Sequence, residues 1–215
     1  MSASRGEFRH RFTPCRATRR HVGDGRIQEP RSRPLNERLV EDLRAHRPEA
    51  IEELLAEYGR QIHAVAYLVL RSAADAEEVV MDTALAAWDK AGSIRQADAL
   101  RPWLLQIATR RSLSLVRRRR PAGALEPALA GWIDPIAPIA NRLALAAAVA
   151  ELPPRMRAAI ALRYYADLDL DAIALALGRS RNTVKTELRL ALGRLRQSMA
   201  AELVLQRGRE QTDAT

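Results

Sequence analysis

An all-α fold of two small helical domains joined by a Pro-rich linker is what this sequence predicts. Three observations point to it. Apolar residues make up 47% of the 215 residues while aromatics make up only 4%. Many of the apolar residues are alanine, which suits helices packed closely through small side chains rather than a β core. Along most of the chain the apolar residues recur at three- and four-residue spacing, the period of a helix with one buried stripe. That pattern is interrupted between Pro121 and Pro138, where four prolines and two glycines fall within 18 residues, the composition of a linker.

Taken in order, residues 1–34 carry no apolar periodicity and are rich in Arg, Gly and Pro. They read as a disordered basic extension. Leu35 to His46 reads as a short helix ended near Pro48. From Pro48 a stripe of Ile51, Leu54, Leu55, Tyr58, Ile62, Val65, Ala66 and Val69 predicts a helix of about five to six turns. A third helix is expected to begin at Asp75, with Glu78 as its capping-box partner. Val79, Val80, Thr83, Ala84, Ala87 and Trp88 form its buried side, and Gly92 breaks it. A fourth runs from about Leu100, with Pro102 in its first turn and Leu104, Ile107, Ala108, Arg111 and Leu115 along one face. The Arg run and Pro121 end it. Residues 121–138 form the linker, although Trp132 and Ile133 suggest that it lies against something. The second domain spans 139–204: an Ala-rich helix to about Glu151, a break at Leu152-Pro153-Pro154, and a helix through Met156, Ile160 and Tyr164. Two further helices follow, and residues 205–215 are expected to be a disordered tail.

Those last two helices carry the strongest functional signal. Leu170, Ile173, Ala174 and Leu177 make a short apolar pattern closed by Gly178. After it, Arg181, Asn182, Lys185 and Arg189 lie on one side of a new helix, and Val184, Leu188, Ala191 and Leu195 on the other. Helix, tight turn, helix is the layout of a helix-turn-helix, whose second helix enters the DNA major groove. Arg181, Lys185 and Arg189 stand at i, i+4 and i+8, so they share a face. Arg pairs with guanine edges and Asn182 with adenine. Arg179 and Thr186 flank that face. Ser180 is the expected N-cap, its oxygen on the Thr183 amide, and Asp169 caps the preceding helix.

Charge is distributed unevenly. Residues 1–34 hold nine Arg against three acids, residues 35–109 eight basic against thirteen acidic side chains, and residues 110–120 six Arg and no acid. An acidic block directly before a basic cluster suits two partners, a basic protein surface and nucleic acid. The single cysteine, Cys15, excludes an intrachain disulfide framework and a Cys-based zinc site. The four histidines show no ligand spacing, and His63 reads as a core or boundary residue. No Gly-rich phosphate loop and no catalytic constellation appears, so neither an enzyme nor a cofactor or metal is expected. The apolar runs are too short to span a membrane, no apolar segment of a secretory signal follows the Arg-rich start, and a cytoplasmic location is expected.

Three stretches resemble the extracytoplasmic-function (ECF) sigma factors, promoter-recognition subunits of bacterial RNA polymerase. Asp75-Ala76-Glu77-Glu78-Val79-Val80-Met81-Asp82-Thr83-Ala84 with Ala87-Trp88 is similar to a segment of the family's region 2. Trp103-Leu104-Leu105-Gln106-Ile107-Ala108, followed by Arg110 through Arg120, resembles the helix that ends region 2. Leu152-Pro153-Pro154-Arg155, Leu162-Arg163-Tyr164, Ile173-Ala174, Leu177-Gly178 and Thr183-Val184-Lys185 resemble region 4. The resemblance covers roughly residues 48–120 and 141–200.

It implies that residues 35–120 form region 2 and bind core polymerase, with Asp75, Glu77, Glu78 and Asp82 facing the β′ clamp helices and Trp88 an internal anchor. It implies that the helix at 100–120 holds melted −10 DNA through Arg110, Arg111, Ser114, Arg117, Arg118 and Arg119, with Trp103 in the core. Region 4 would read the −35 element with Arg179, Ser180, Arg181, Asn182, Lys185, Thr186 and Arg189, and would meet the β flap. Promoter DNA is then a partner, and the family expectation adds an anti-sigma factor. Arg110 stands where the family usually has Asn, Ser114 where it has Asp, and Glu187 and Leu190 where relatives carry Arg. Two other readings stay open: a dimeric helix-turn-helix regulator, and a polymerase-docking adaptor that has lost promoter reading.

Overall fold

The structure, a computed structural model, describes the backbone of residues 35–118 and 139–213, and the side chains of 35–118 and 144–200. The basic extension, Arg119 and the whole of the expected linker, with Trp132 and Ile133, lie outside the described residues. Eight α-helices are described: α1 (Leu35–Arg44), α2 (Glu49–Leu70), α3 (Ala73–Lys90), α4 (Leu100–Arg118), α5 (Ile139–Ala150), α6 (Pro154–Ile160), α7 (Leu170–Leu177) and α8 (Arg181–Asp213). Two short 3-10 turns, Ala91–Ser93 and Ala97–Ala99, bridge α3 to α4. A π-helical turn, Ala161–Tyr165, continues α6.

The first half is built around α2, against which α1, α3 and α4 pack. Its stripe buries Leu54, Tyr58, Ile62, Val65, Ala66 and Val69, matching the sequence pattern. α3 begins two residues earlier than expected. Ser72, in extended conformation, is its N-cap and accepts a hydrogen bond from the Asp75 amide at 3.3 Å. Asp75 therefore sits at the third helical position, and the Ser-x-x-Asp spacing is itself a capping pattern.

α4 departs from the single-stripe reading. Ile107 and Leu115 are only half-buried, while Leu105, Gln106, Thr109, Ser112 and Leu113 join Leu104 and Ala108 inside. The cause is that α4 is covered on two sides, by α2 and α3 and by α7. A helix buried on two faces loses its clean polar side, and small polar residues fill the second contact. Thr83 and Ser112 return their hydroxyls to the backbone carbonyls of Val79 and Ala108, which lets them be buried without a penalty.

The second half packs α5, α6 and α7 on α8. α8 runs to Asp213, where the sequence predicts a disordered tail from residue 205. Residues 201–207 are good helix formers, and a helix already nucleated extends at little cost.

The two halves share one apolar core. A single cluster of buried side chains extends from Leu39 through Leu104 and Leu162 to Leu188. At the junction, backbone carbonyls at helix ends meet arginines from across it. Arg157 on α6 is 7% exposed. It donates to the carbonyls of Ala150 (3.2 Å) and Leu152 (2.8 Å) beyond α5, and to Val69 at the end of α2 (2.6 Å). Burial, and then the nearby Arg71, push its pKa down to about 10 while Glu151 acts the other way, so it keeps its charge at neutral pH. Arg71 closes α2 in the left-handed region at φ 62°, a conformation that costs a non-glycine residue about 1 kcal/mol. Its guanidinium also reaches the Ala150 carbonyl, at 3.5 Å.

Replacing Arg157 with methionine would roughly keep the volume and take the side-chain donor from the Leu152 and Val69 carbonyls, leaving Ala150 to Arg71. Urea denaturation should show a loss of about 2–4 kcal/mol. A loss within 0.5 kcal/mol would show that water satisfies the carbonyls equally well.

Candidate nucleic-acid and polymerase interface

The helix-turn-helix is built from its caps outward. Asp169 accepts a hydrogen bond from the Ala172 amide at 2.7 Å and starts α7. Gly178 ends it at φ 62°, the left-handed conformation glycine adopts without strain. The Arg179 amide returns to the Ala174 carbonyl at 2.9 Å, closing a Schellman-type turn. Ser180 then caps α8, accepting from the Thr183 amide at 3.2 Å. Only Gly178, Arg179 and Ser180 separate the helices. Val184, Leu188 and Ala191 are buried beneath α8, which turns Arg181, Asn182, Lys185, Thr186 and Arg189 to solvent. Arg179 and Ser180 are exposed beside them. All seven expected −35 residues are exposed. Arg181 also pairs with Asp171 of α7 at 3.2 Å, an exposed bond worth at most about 1 kcal/mol.

The expected polymerase-binding residues lie on α3. Glu77 and Glu78 are exposed, and Asp75 and Asp82 half-buried. Beside Glu77 opens a cleft of about 530 Å³ between α2 and α3, lined by Gly59, Arg60, His63, Val80 and Met81. Met81 and Leu85 are 53% and 59% exposed. This apolar element was missing from the sequence reading, although their i, i+4 spacing opposite the buried face could have shown it. His63 stacks on Tyr67, with ring centroids 6.1 Å apart, and Trp88 is half-buried edge-on to His46.

The α4 residues separate into three groups. Arg117 and Arg118 are exposed, and Ser114 is half-buried. Arg111 forms an ion pair with Asp82, so a residue expected to meet DNA and one expected to meet polymerase hold each other. Arg110, although exposed, reaches across to the end of α7. Its Nη2 donates to the Leu175 carbonyl at 2.8 Å and its Nε to Ala176 at 3.4 Å. Burial there lowers its pKa from the usual guanidinium value. One turn earlier Gln106 donates to the same Leu175 carbonyl at 3.3 Å. At the start of the helix Arg101 bonds Gln61 at 2.8 Å and also the Ala166 carbonyl.

Comparison with known proteins gives the family and the fold. The model of Sigma-70 region 2 matches residues 54–122, and that of Sigma-70, region 4 matches residues 142–195. The ECF RNA polymerase sigma factor SigM of Mycobacterium tuberculosis is 30% identical over 139 residues, covering 64% of this chain and 70% of SigM. Among solved structures, CnrH in complex with the cytosolic domain of CnrY aligns with a TM-score of 0.59 at 22% identity, over 78% of this chain and 99% of that one. The sigma factor RpoE of Bartonella quintana, in complex with the anti-sigma factor NepR, aligns with a TM-score of 0.58 at 22% identity, over 71% of this chain and 98% of that one. With both sigma regions in order along one chain, and a relative of this similarity, the protein belongs to the ECF sigma factors of RNA polymerase.

Proposed function

We propose that this sigma factor reads the −35 element with residues 179–189, holds the −10 element with the basic end of α4, and docks on the β′ clamp through α3 and the adjoining cleft. The observation that carries the proposal is the recognition surface of α8. Three cations at i, i+4 and i+8 stand on a helix whose opposite side is locked into the core and whose first turn is capped. A face so fixed can present bidentate donors to base edges without first paying to order itself.

On α4, Arg117 and Arg118 are ready to meet phosphates, whereas Arg110 and Arg111 must first leave Leu175 and Asp82. The Arg111–Asp82 pair is about two-fifths exposed on both sides, so exchanging it for DNA and polymerase contacts costs little. For docking, Glu77, Glu78 and Asp82 supply charge to a basic partner, and Met81 and Leu85 supply apolar area. An anti-sigma factor would compete for that same surface, and region 4 would contact the β flap. The place of action is the cytoplasm, where the polymerase works. Strand opening then draws on binding energy: bases captured and phosphates neutralised offset the lost duplex stacking.

Run-off transcription with purified core polymerase on pooled genomic fragments should give new, discrete start sites only when this protein is added. Core binding without new starts would favour the adaptor, and binding to duplex without core would favour the regulator. Changing Arg181 and Lys185 to alanine should weaken use of the −35 element by about 1–3 kcal/mol for each lost base contact. Unchanged promoter selectivity in that variant would remove α8 from the reading of DNA.

A further inference from the structure

We infer that Leu190, with the methyl group of Thr186, makes an apolar contact with thymine 5-methyl groups, so that the −35 element holds thymines recognised by their methyls beside bases recognised by hydrogen bonds. The inference rests on the reading that α8 enters the major groove, and it deepens that reading at one residue outside the expected −35 set.

α8 exposes two neighbouring stripes. Arg181, Lys185 and Arg189 form one, which starts at α7, where Arg181 bonds Asp171. Asn182, Thr186 and Leu190, again at i, i+4 and i+8, form the other. Val184, Leu188 and Ala191 are buried. At about 100° per residue, the second stripe is therefore the one that points most directly away from the core. A recognition helix lying in the major groove turns that side to the base edges.

The chemistry of the second stripe matches an A·T pair. Leu190 is 50% exposed, and its side chain has no donor or acceptor for a phosphate or a base heteroatom. The apolar feature of the major-groove edge is the thymine 5-methyl group. Thr186, one turn earlier, carries a methyl besides its hydroxyl, and the carboxamide of Asn182 suits adenine N6 and N7. Gly193, three residues after Leu190, leaves the same side open, because a Cβ there would meet nothing within 4 Å. Glycine inside a helix weakens it relative to alanine, and no described neighbour needs the space. The opening lets a DNA strand come close to Leu190.

The test uses holoenzyme, the full chain with core polymerase, on a promoter found by run-off. Each thymine of the upstream element is replaced singly by uracil, which removes only the 5-methyl, and affinity is measured by competition. At one or two positions binding should weaken about fourfold, the worth of one buried methyl group. Leu190→Ala, a change to a good helix former at an exposed position, should weaken binding to the thymine promoter and abolish the uracil effect at one of those positions. Thr186→Ser, which keeps the hydroxyl, should abolish it at the other. Uracil effects equal in the parent and both variants, or absent throughout, would overturn the contact. So would an equal loss in Leu190→Ala when core polymerase is bound without DNA, which would put the residue against protein. Arg181→Ala with Lys185→Ala, run alongside, separates the failures. If that variant changes promoter choice while the uracil series is flat, only the thymine contact falls. If it changes nothing, the reading of DNA by α8 falls with it.

Discussion

Helix ends that are buried must find hydrogen-bond donors from somewhere other than their own backbone, and this constraint organises the junction of the molecule. α2, α5, the π-helical turn after α6, and α7 all end at or near the contact between the halves. The carbonyls of Val69, Ala150, Leu152, Ala166 and Ala176 are met there by Arg71, Arg101, Arg110 and Arg157. Left without donors, buried carbonyls cost about 1–3 kcal/mol each. A guanidinium suits the task because one side chain carries five N–H groups in a fixed fork and keeps its charge.

Two kinds of joint result. Arg157 is deeply buried and ties the ends of α2 and α5 together from α6. Arg110 sits at the rim, more exposed, with only the end of α7 to hold. Rim bonds of a cation to carbonyls can be exchanged for bonds to phosphates with little net change, since both partners offer oxygen acceptors. The Arg111–Asp82 pair has this character too, linking the helix expected to hold DNA to the helix expected to dock on polymerase.

Local structure was legible because it is written in local spacing. Ser180 three residues before Thr183, Asp169 before Ala172 and Gly178 after Leu177 each specify a cap, and all are formed. The α2 stripe was readable for the same reason. The start of α3 was misplaced because Asp75 resembles an N-cap as closely as Ser72 does. The second buried face of α4 was hidden because Gln106, Thr109 and Ser112 look like surface residues until α7 covers them. Arg110 reads as the first of a basic run, and nothing in its spacing marks Leu175, 65 residues away, as its partner. Bonds from side chains to backbone carbonyls leave no complementary residue to find in the sequence.

The central claim, that buried helix-end carbonyls must be met by side-chain donors at the junction, is tested most directly at the Ala150 carbonyl, which Arg71 and Arg157 share. Urea denaturation of Arg71→Met, Arg157→Met and the double variant completes a double-mutant cycle. The double variant should lose about 1 kcal/mol or more beyond the sum of the single losses, because only there does this carbonyl lose both donors. Strictly additive losses would contradict the account.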